Sequence, residues 1–189
     1  MGREKKFSEQ QLWQVTHDLI LEKGYQGFTM SLVASRLDVS RAAIYKQYPN
    51  KEELIGAFML YEMQRSVALL QGVDRSLSFE SQLRDLLTRM FSIKDLHHIL
   101  GIASTIEDVS PVVTEQKAQL STMHHGLYEP LLSLIQLGKK EQLIDESQND
   151  FILLGFIFQS IDIPNYAKLS DEDFLNSVQN LLLNGLSKK

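Results

Sequence analysis

With 189 residues, 43% hydrophobic and 23% charged, the chain has the length and balance of a globular protein that buries a real core. It contains no cysteine, which excludes disulfides and thiolate metal sites and points to a reducing cytoplasm. The net charge of −5 is uneven: residues 1–51 carry +3 (eight Lys/Arg, five Asp/Glu) and the rest −8, the pattern of a nucleic-acid-facing head on an acidic body.

The opening "MGREKKFSEQ" is basic but leads into an amphipathic segment rather than an apolar signal core. Helical periodicity then continues along nearly the whole chain. It predicts an all-α fold of about nine helices, with a three-helix head over 1–51 and a larger helical domain over 52–189. Ser8 and Gln11 form a capping box for the first helix, Leu12, Val15 and Leu19 its inner stripe, and Gly24 its stop. A short second helix follows "YQGFT" and runs to Leu37. Ser40 caps a third, which Pro49 ends, and Asn50 with Glu53 opens a fourth that runs to Gly72.

Leu83, Leu86, Leu87, Met90 and Phe91 mark a fifth helix, and a weaker sixth covers about 95–107. Ser110-Pro111 starts a long seventh that reaches Gly138. Pro130 interrupts it, and because its ring presses on the carbonyl of Gly126, the expectation is one kinked helix rather than two. Ser147 with Asp150 opens the eighth helix and Ser170 with Asp173 the ninth. The longest apolar run, "FILLGFIF" at 151–158, is far short of the roughly 18 residues a membrane span needs, so no membrane partner is expected.

Residues 29–51, "TMSLVASRLDVSRAAIYKQYPNK", have the spacing of a helix-turn-helix. Ala34 is the small residue at the helix crossing. Asp38, four later, occupies a turn position that requires a left-handed backbone, and Ile44 locks the second helix. That helix, capped by Ser40, offers Arg41, Ala42, Ala43, Tyr45, Lys46 and Gln47 outward. Arg41 suits a guanine edge, while the two alanines permit close approach and contact with thymine methyls. Tyr45, Tyr48, Lys46 and Lys51 suit phosphates, as do Thr29, Met30 and Ser31 at the start of the first short helix. Arg3, Lys5 and Lys6 form a basic arm.

The run "GYQGFTMSLVASRLDVSRAAIYKQYPNKEEL" closely resembles the N-terminal domain of TetR-family transcriptional regulators. It has their Gly-x-x-x-x-Thr opening, the Ala and Leu of the first short helix, the Val-Ser turn, the recognition-helix Tyr and the following Lys-Glu-Glu-Leu. It departs from them in having Asp38 for the turn glycine and Ala42-Ala43 for a small-hydroxyl pair. The resemblance implies a homodimer on double-stranded DNA with a pseudo-palindromic operator, and a small-molecule effector that releases a repressor.

A lone reading head makes few phosphate contacts, so a dimer surface is expected. "DFILLGFIFQSIDI" is apolar nearly all round, with Phe151, Leu154, Phe158 and Ile161 on one face and Ile152, Phe156 and Ile163 on another. Phe174, Val178, Leu181, Leu182 and Leu186 follow. Met90, Phe91, His97, Ile102, Met123, His124 and Leu127 are the candidate pocket lining. Neither His97-His98 nor His124-His125 chelates alone, since neighbours on a helix diverge by about 100°. The chain has no Gly-rich phosphate loop, HExxH or nucleophile elbow, so no enzyme activity, cofactor or metal is expected. Two readings of the body remain open, an effector sensor and a surface for a protein partner. A repressor is the expected role, although operator position, which lies outside the protein, decides between activation and repression.

Overall fold

The computed structural model describes residues 7–185, and every regular element in that span is helical. In chain order these are α1 (Glu9–Gly27), α2 (Met30–Arg36), α3 (Arg41–Tyr45), α4 (Lys51–Gln71), α5 (Phe79–Ser92), α6 (Lys94–Gly101), α7 (Pro111–His125), α8 (Tyr128–Lys140), α9 (Asp150–Gln159) and α10 (Asp171–Asn184). Single 3-10 turns extend α6 and α9. Arg3, Lys5, Lys6 and Leu186 lie outside the described residues.

The capping residues set most of these boundaries. Ser8 Oγ accepts from the Gln11 N–H at 3.1 Å, and the Gln11 side chain accepts from the Ser8 N–H at 2.7 Å. Thr29, Ser40 and Ser170 each accept from the N–H three residues on; such a cap is worth about 1 kcal/mol. Gly24 has φ 64°, which breaks the α1 axis where a stop is expected. The α9 cap, however, is Asn149, whose side chain accepts from Phe151 and Ile152. The cap therefore lies two residues beyond Ser147, and the helix starts at Asp150.

The stretch 111–138 forms two helices where one kinked helix was expected. α7 ends at His125 and α8 begins at Tyr128. Between them the Gly126 N–H donates to Met123 O at 2.9 Å, and the Leu127 N–H to His124 O at 3.1 Å. Division places Pro130 in the first turn of α8, where its missing N–H would have no helical partner in any case. The proline is thus accommodated at a helix start instead of bending a continuous helix.

Two compact units result. The first runs up to Gln64 and includes Asp95–Thr122; the second holds Arg65–Lys94 and the chain from Met123 onward. Leu12, Leu19, Phe28, Val33, Ile44, Leu54 and Phe58 form the core of the first and are 0–1% exposed. Burying each such side chain stabilises by about 1.5–3 kcal/mol. In the second unit α5 packs against α8 and α10. Leu83, Leu86, Leu87 and Met90 of α5 and Leu131, Leu134 and Ile135 of α8 are buried there. No helix among the described residues is long and apolar enough to cross a membrane.

Candidate DNA-binding interface

α2 and α3 present a helix-turn-helix whose geometry follows from three side chains. Ala34, 2% exposed, lets the helices cross closely, and Ile44, 0% exposed, pins α3 to the core. Asp38 takes φ 51°, the left-handed turn for which Asp is among the few tolerant non-glycine residues. The turn is closed by the Leu37 N–H donating to Val33 O at 3.0 Å and the Val39 N–H to Ala34 O at 3.0 Å. Ser40 Oγ then caps α3 by accepting from the Ala43 N–H.

That arrangement leaves one face of α3 clear. Arg41, Ala42, Tyr45, Lys46 and Gln47 are exposed and Ala43 is half-buried. Neither Arg41 nor Lys46 has an ion-pair partner among the described residues. Both cations are therefore available to an external anion or base edge. Thr29 and Ser31 are also exposed. The Thr29 hydroxyl oxygen accepts from the Leu32 N–H, which leaves its proton free to donate.

Other expected contact residues face elsewhere. Met30 is 5% exposed and belongs to the core of the first unit, because the first turn of α2 turns inward at that position. Tyr48 lies beside Trp13, ring centres 6.2 Å apart, and its burial raises the phenol pKa. Trp13 also meets Phe58 at 6.1 Å and Tyr61 at 5.7 Å, so one indole joins α1, the segment after α3, and α4. The Lys51 ammonium lies 4.3 Å above the Tyr25 ring and donates to Tyr25 O at 3.3 Å. The Tyr25 hydroxyl in turn donates to Glu52 at 3.1 Å.

Sequence periodicity did not single out the clamp behind this face. Arg36 donates two bonds to Glu22, at 3.0 and 2.6 Å, and so ties the end of α2 to α1. The bond holds the Glu22 carboxyl below its ordinary pKa. Fourteen residues separate the partners, and no spacing rule within a helix links them.

The expected pocket residues fall in both units. Met90 and Leu127 are buried in the second. His124 there meets Tyr128 at 5.1 Å and Phe158 at 5.8 Å, both edge to face, and Met123 is half-buried. Phe91 packs on Phe174 at 5.5 Å. His97 and Ile102, both half-buried, belong to the first unit. No group of three His, Asp or Glu among the described residues is placed to hold a metal.

Of the expected dimer residues, Leu154, Phe158, Ile161 and Val178 turn inward, at 2–7% exposure, and Phe174 and Leu182 are half-buried. α9 packs on α8, which covers that side of it. The opposite side is bare: Phe151 and Ile152 are each 71% exposed and Phe156 64%, with Leu181 of α10 at 43%.

Residues 12–58 match the model for bacterial regulatory proteins of the tetR family. An HTH-type transcriptional regulator of Mycobacterium bovis is 30% identical over 172 residues, which cover 86% of this chain and 80% of the relative. The transcriptional regulator FadR of Bacillus subtilis, solved in complex with stearoyl-CoA, has the same fold at a TM-score of 0.70 and 20% identity, with 95% of this chain and 100% of that one covered. AibR, solved with isovaleryl coenzyme A and operator DNA, superposes at a TM-score of 0.74 and 18% identity, covering 95% and 98% of the two chains.

Proposed function

We infer the working of this chain from one premise: it belongs to the tetR family of bacterial regulatory proteins, and it is a transcriptional regulator. The protein is a homodimeric repressor that acts in the cytoplasm and leaves its operator when a small-molecule effector binds. The single observation that carries the DNA-binding assignment is the clear outer face of α3, where Arg41 and Lys46 have no ion-pair partner among the described residues. Arg41 reads a base edge in the major groove. Lys46, Tyr45, Gln47, Ser40, Thr29 and Ser31 contact phosphates, and Ala42 and Ala43 admit the close approach.

The effector is an acyl-coenzyme A thioester. Support for that class is that two proteins of the same fold, FadR and AibR, were solved with such thioesters bound. Release follows if the thioester prefers a body arrangement in which the two heads no longer match successive major grooves. The shift is limited to the ligand's differential affinity for the two states.

Fluorescence anisotropy with DNA from upstream of the protein's own gene, against a scrambled fragment over a salt series, tests the assignment. Discrimination of about 10³ or more, with a steep negative salt slope and weaker selectivity in Arg41→Ala, is expected. Titration with acyl-coenzyme A should then lower the operator signal. An absence of DNA binding even at low salt sinks the assignment.

A further inference from the structure

An open cleft of about 650 Å³ lies within the second unit, between one stripe of α5, the 161–165 segment and the first turn of α10. That volume is typical of small-molecule sites. The floor is apolar: Phe91 and Phe174 meet edge to face at 5.5 Å, flanked by Ile161 and Leu175, at 7% and 9% exposure. Arg84, Thr88 and Phe91 recur at helical spacing, so α5 supplies one continuous wall.

Charge is divided between the two walls. Arg84 and Lys94 lie on the α5 side, Asp171 and Glu172 on the α10 side. The Arg84 guanidinium donates to the neutral amide oxygens of Asn176 and Gln179. Its nearest carboxylate, Glu172, is 3.9 Å away and 80% exposed, so little of its charge is compensated. Lys94 has no ion-pair partner among the described residues. The two acids are in the first turn of α10, where the helix dipole and solvent already stabilise them. An apolar floor edged by two under-compensated cations suits a hydrocarbon chain with an anionic head.

We propose that this cleft binds the effector, with the acyl chain on the Phe91–Phe174 floor and the anionic portion toward Arg84 and Lys94. The assignment rests on the acyl-thioester reading above. Phe174 and Leu175 belong to α10, so an occupant acts directly on the helix that also carries exposed Leu181.

The test uses the full chain, palmitoyl-CoA as probe and coenzyme A alone as control, with binding followed by calorimetry and operator release by anisotropy. Thr88→Trp fills the cleft from an exposed position, and Lys94→Glu reverses one cation. Thr88→Trp should weaken palmitoyl-CoA about tenfold or more and Lys94→Glu about fivefold. Operator affinity without ligand should be unchanged in both. If Thr88→Trp does not fold, Lys94→Glu decides alone. A wild-type protein that holds operator but binds no palmitoyl-CoA overturns the effector reading and this site together. A wild type that binds it, with both variants unaltered, leaves the effector reading standing and overturns the cleft. A monomeric Thr88→Trp makes the cleft the seat of a second copy and overturns the proposal as well.

Discussion

The Ser110 hydroxyl donates to the Glu53 carboxylate at 2.8 Å, and through that bond one side chain serves two helix starts. Glu53 lies in the first turn of α4: its N–H donates to the capping Asn50 Oδ1 at 2.7 Å, and its carboxylate accepts from the Asn50 side-chain Nδ2 at 3.1 Å. Ser110 Oγ meanwhile accepts from the Val113 N–H as the cap of α7. The two helices are distant in sequence, yet their first turns share one acceptor. Ser110→Ala and Glu53→Ala should each destabilise by about 1–2 kcal/mol. A double-mutant cycle in urea should give a coupling of about 1 kcal/mol. Additive losses would mean that the two caps act independently.

Gly56, one turn further along α4, leaves room for the Gln116 side chain, and a Cβ there would collide with Gln116 Oε1. Gln116 uses that room to donate to Glu53 O at 3.2 Å. Gly56→Ala gains about 1 kcal/mol of helix propensity but displaces this amide and loses a hydrogen bond of similar worth. The single substitution should be near neutral by thermal unfolding. In a Gln116→Ala background the same change should stabilise by about 1 kcal/mol. Equal effects in both backgrounds would remove Gln116 from the account.

Asp38 holds φ 51° in the turn between α2 and α3. Asp38→Gly should relieve the left-handed strain, which is about 1 kcal/mol for a non-glycine residue. The greater freedom of glycine in the unfolded chain offsets part of this. Asp38→Val, β-branched, should destabilise by about 1–2 kcal/mol. Urea midpoints of the three proteins give the order directly, and Val at or above Asp would contradict the turn geometry.

What was legible in the sequence is local chemistry: the caps at Ser8, Ser40 and Ser170, the break at Gly24 and the left-handed turn at Asp38 each rest on a few adjacent residues. Pairings over longer separations were not legible, as with Glu22 and Arg36 or Glu53 and Ser110, because no periodicity relates them. Pro130 failed for a different reason. A proline opposite a glycine is compatible with a kink or with a helix start, and the two hydrogen bonds at 126–127 select the start. The apolar α9 segment showed that all of its sides need cover, but which side meets α8 depends on tertiary packing.

The Glu22–Arg36 pair gives a pH dependence. Arg36 lowers the Glu22 pKa in the folded protein, so the folded state favours the ionised carboxylate. The contribution is present above the unfolded glutamate value of about 4.3 and is lost as pH falls through the lower folded value. Both side chains are well exposed, at 37% and 46%, so the effect is small and screened by salt. Arg36→Ala should flatten the acid limb of the stability–pH curve, and the difference from wild type should shrink at high ionic strength. A difference that persists in acid strong enough to protonate Glu22 in the folded protein would assign the loss to packing instead.

The bare side of α9 bears on oligomeric state. Phe151, Ile152 and Phe156 are 64–71% exposed, a large uncovered apolar face for a water-facing helix. Pairing two such faces, with Leu181 of α10 beside them, would remove them from water and place two reading heads on one DNA. Phe156→Glu puts a charge in that interface without touching the core of either unit. Light scattering should then show a monomer, and operator affinity should drop about a hundredfold or more through loss of the second half-site. The variant should keep its helical circular dichroism, because Phe156 contributes little to internal burial. A dimer of unchanged stability in Phe156→Glu would move the interface off this face.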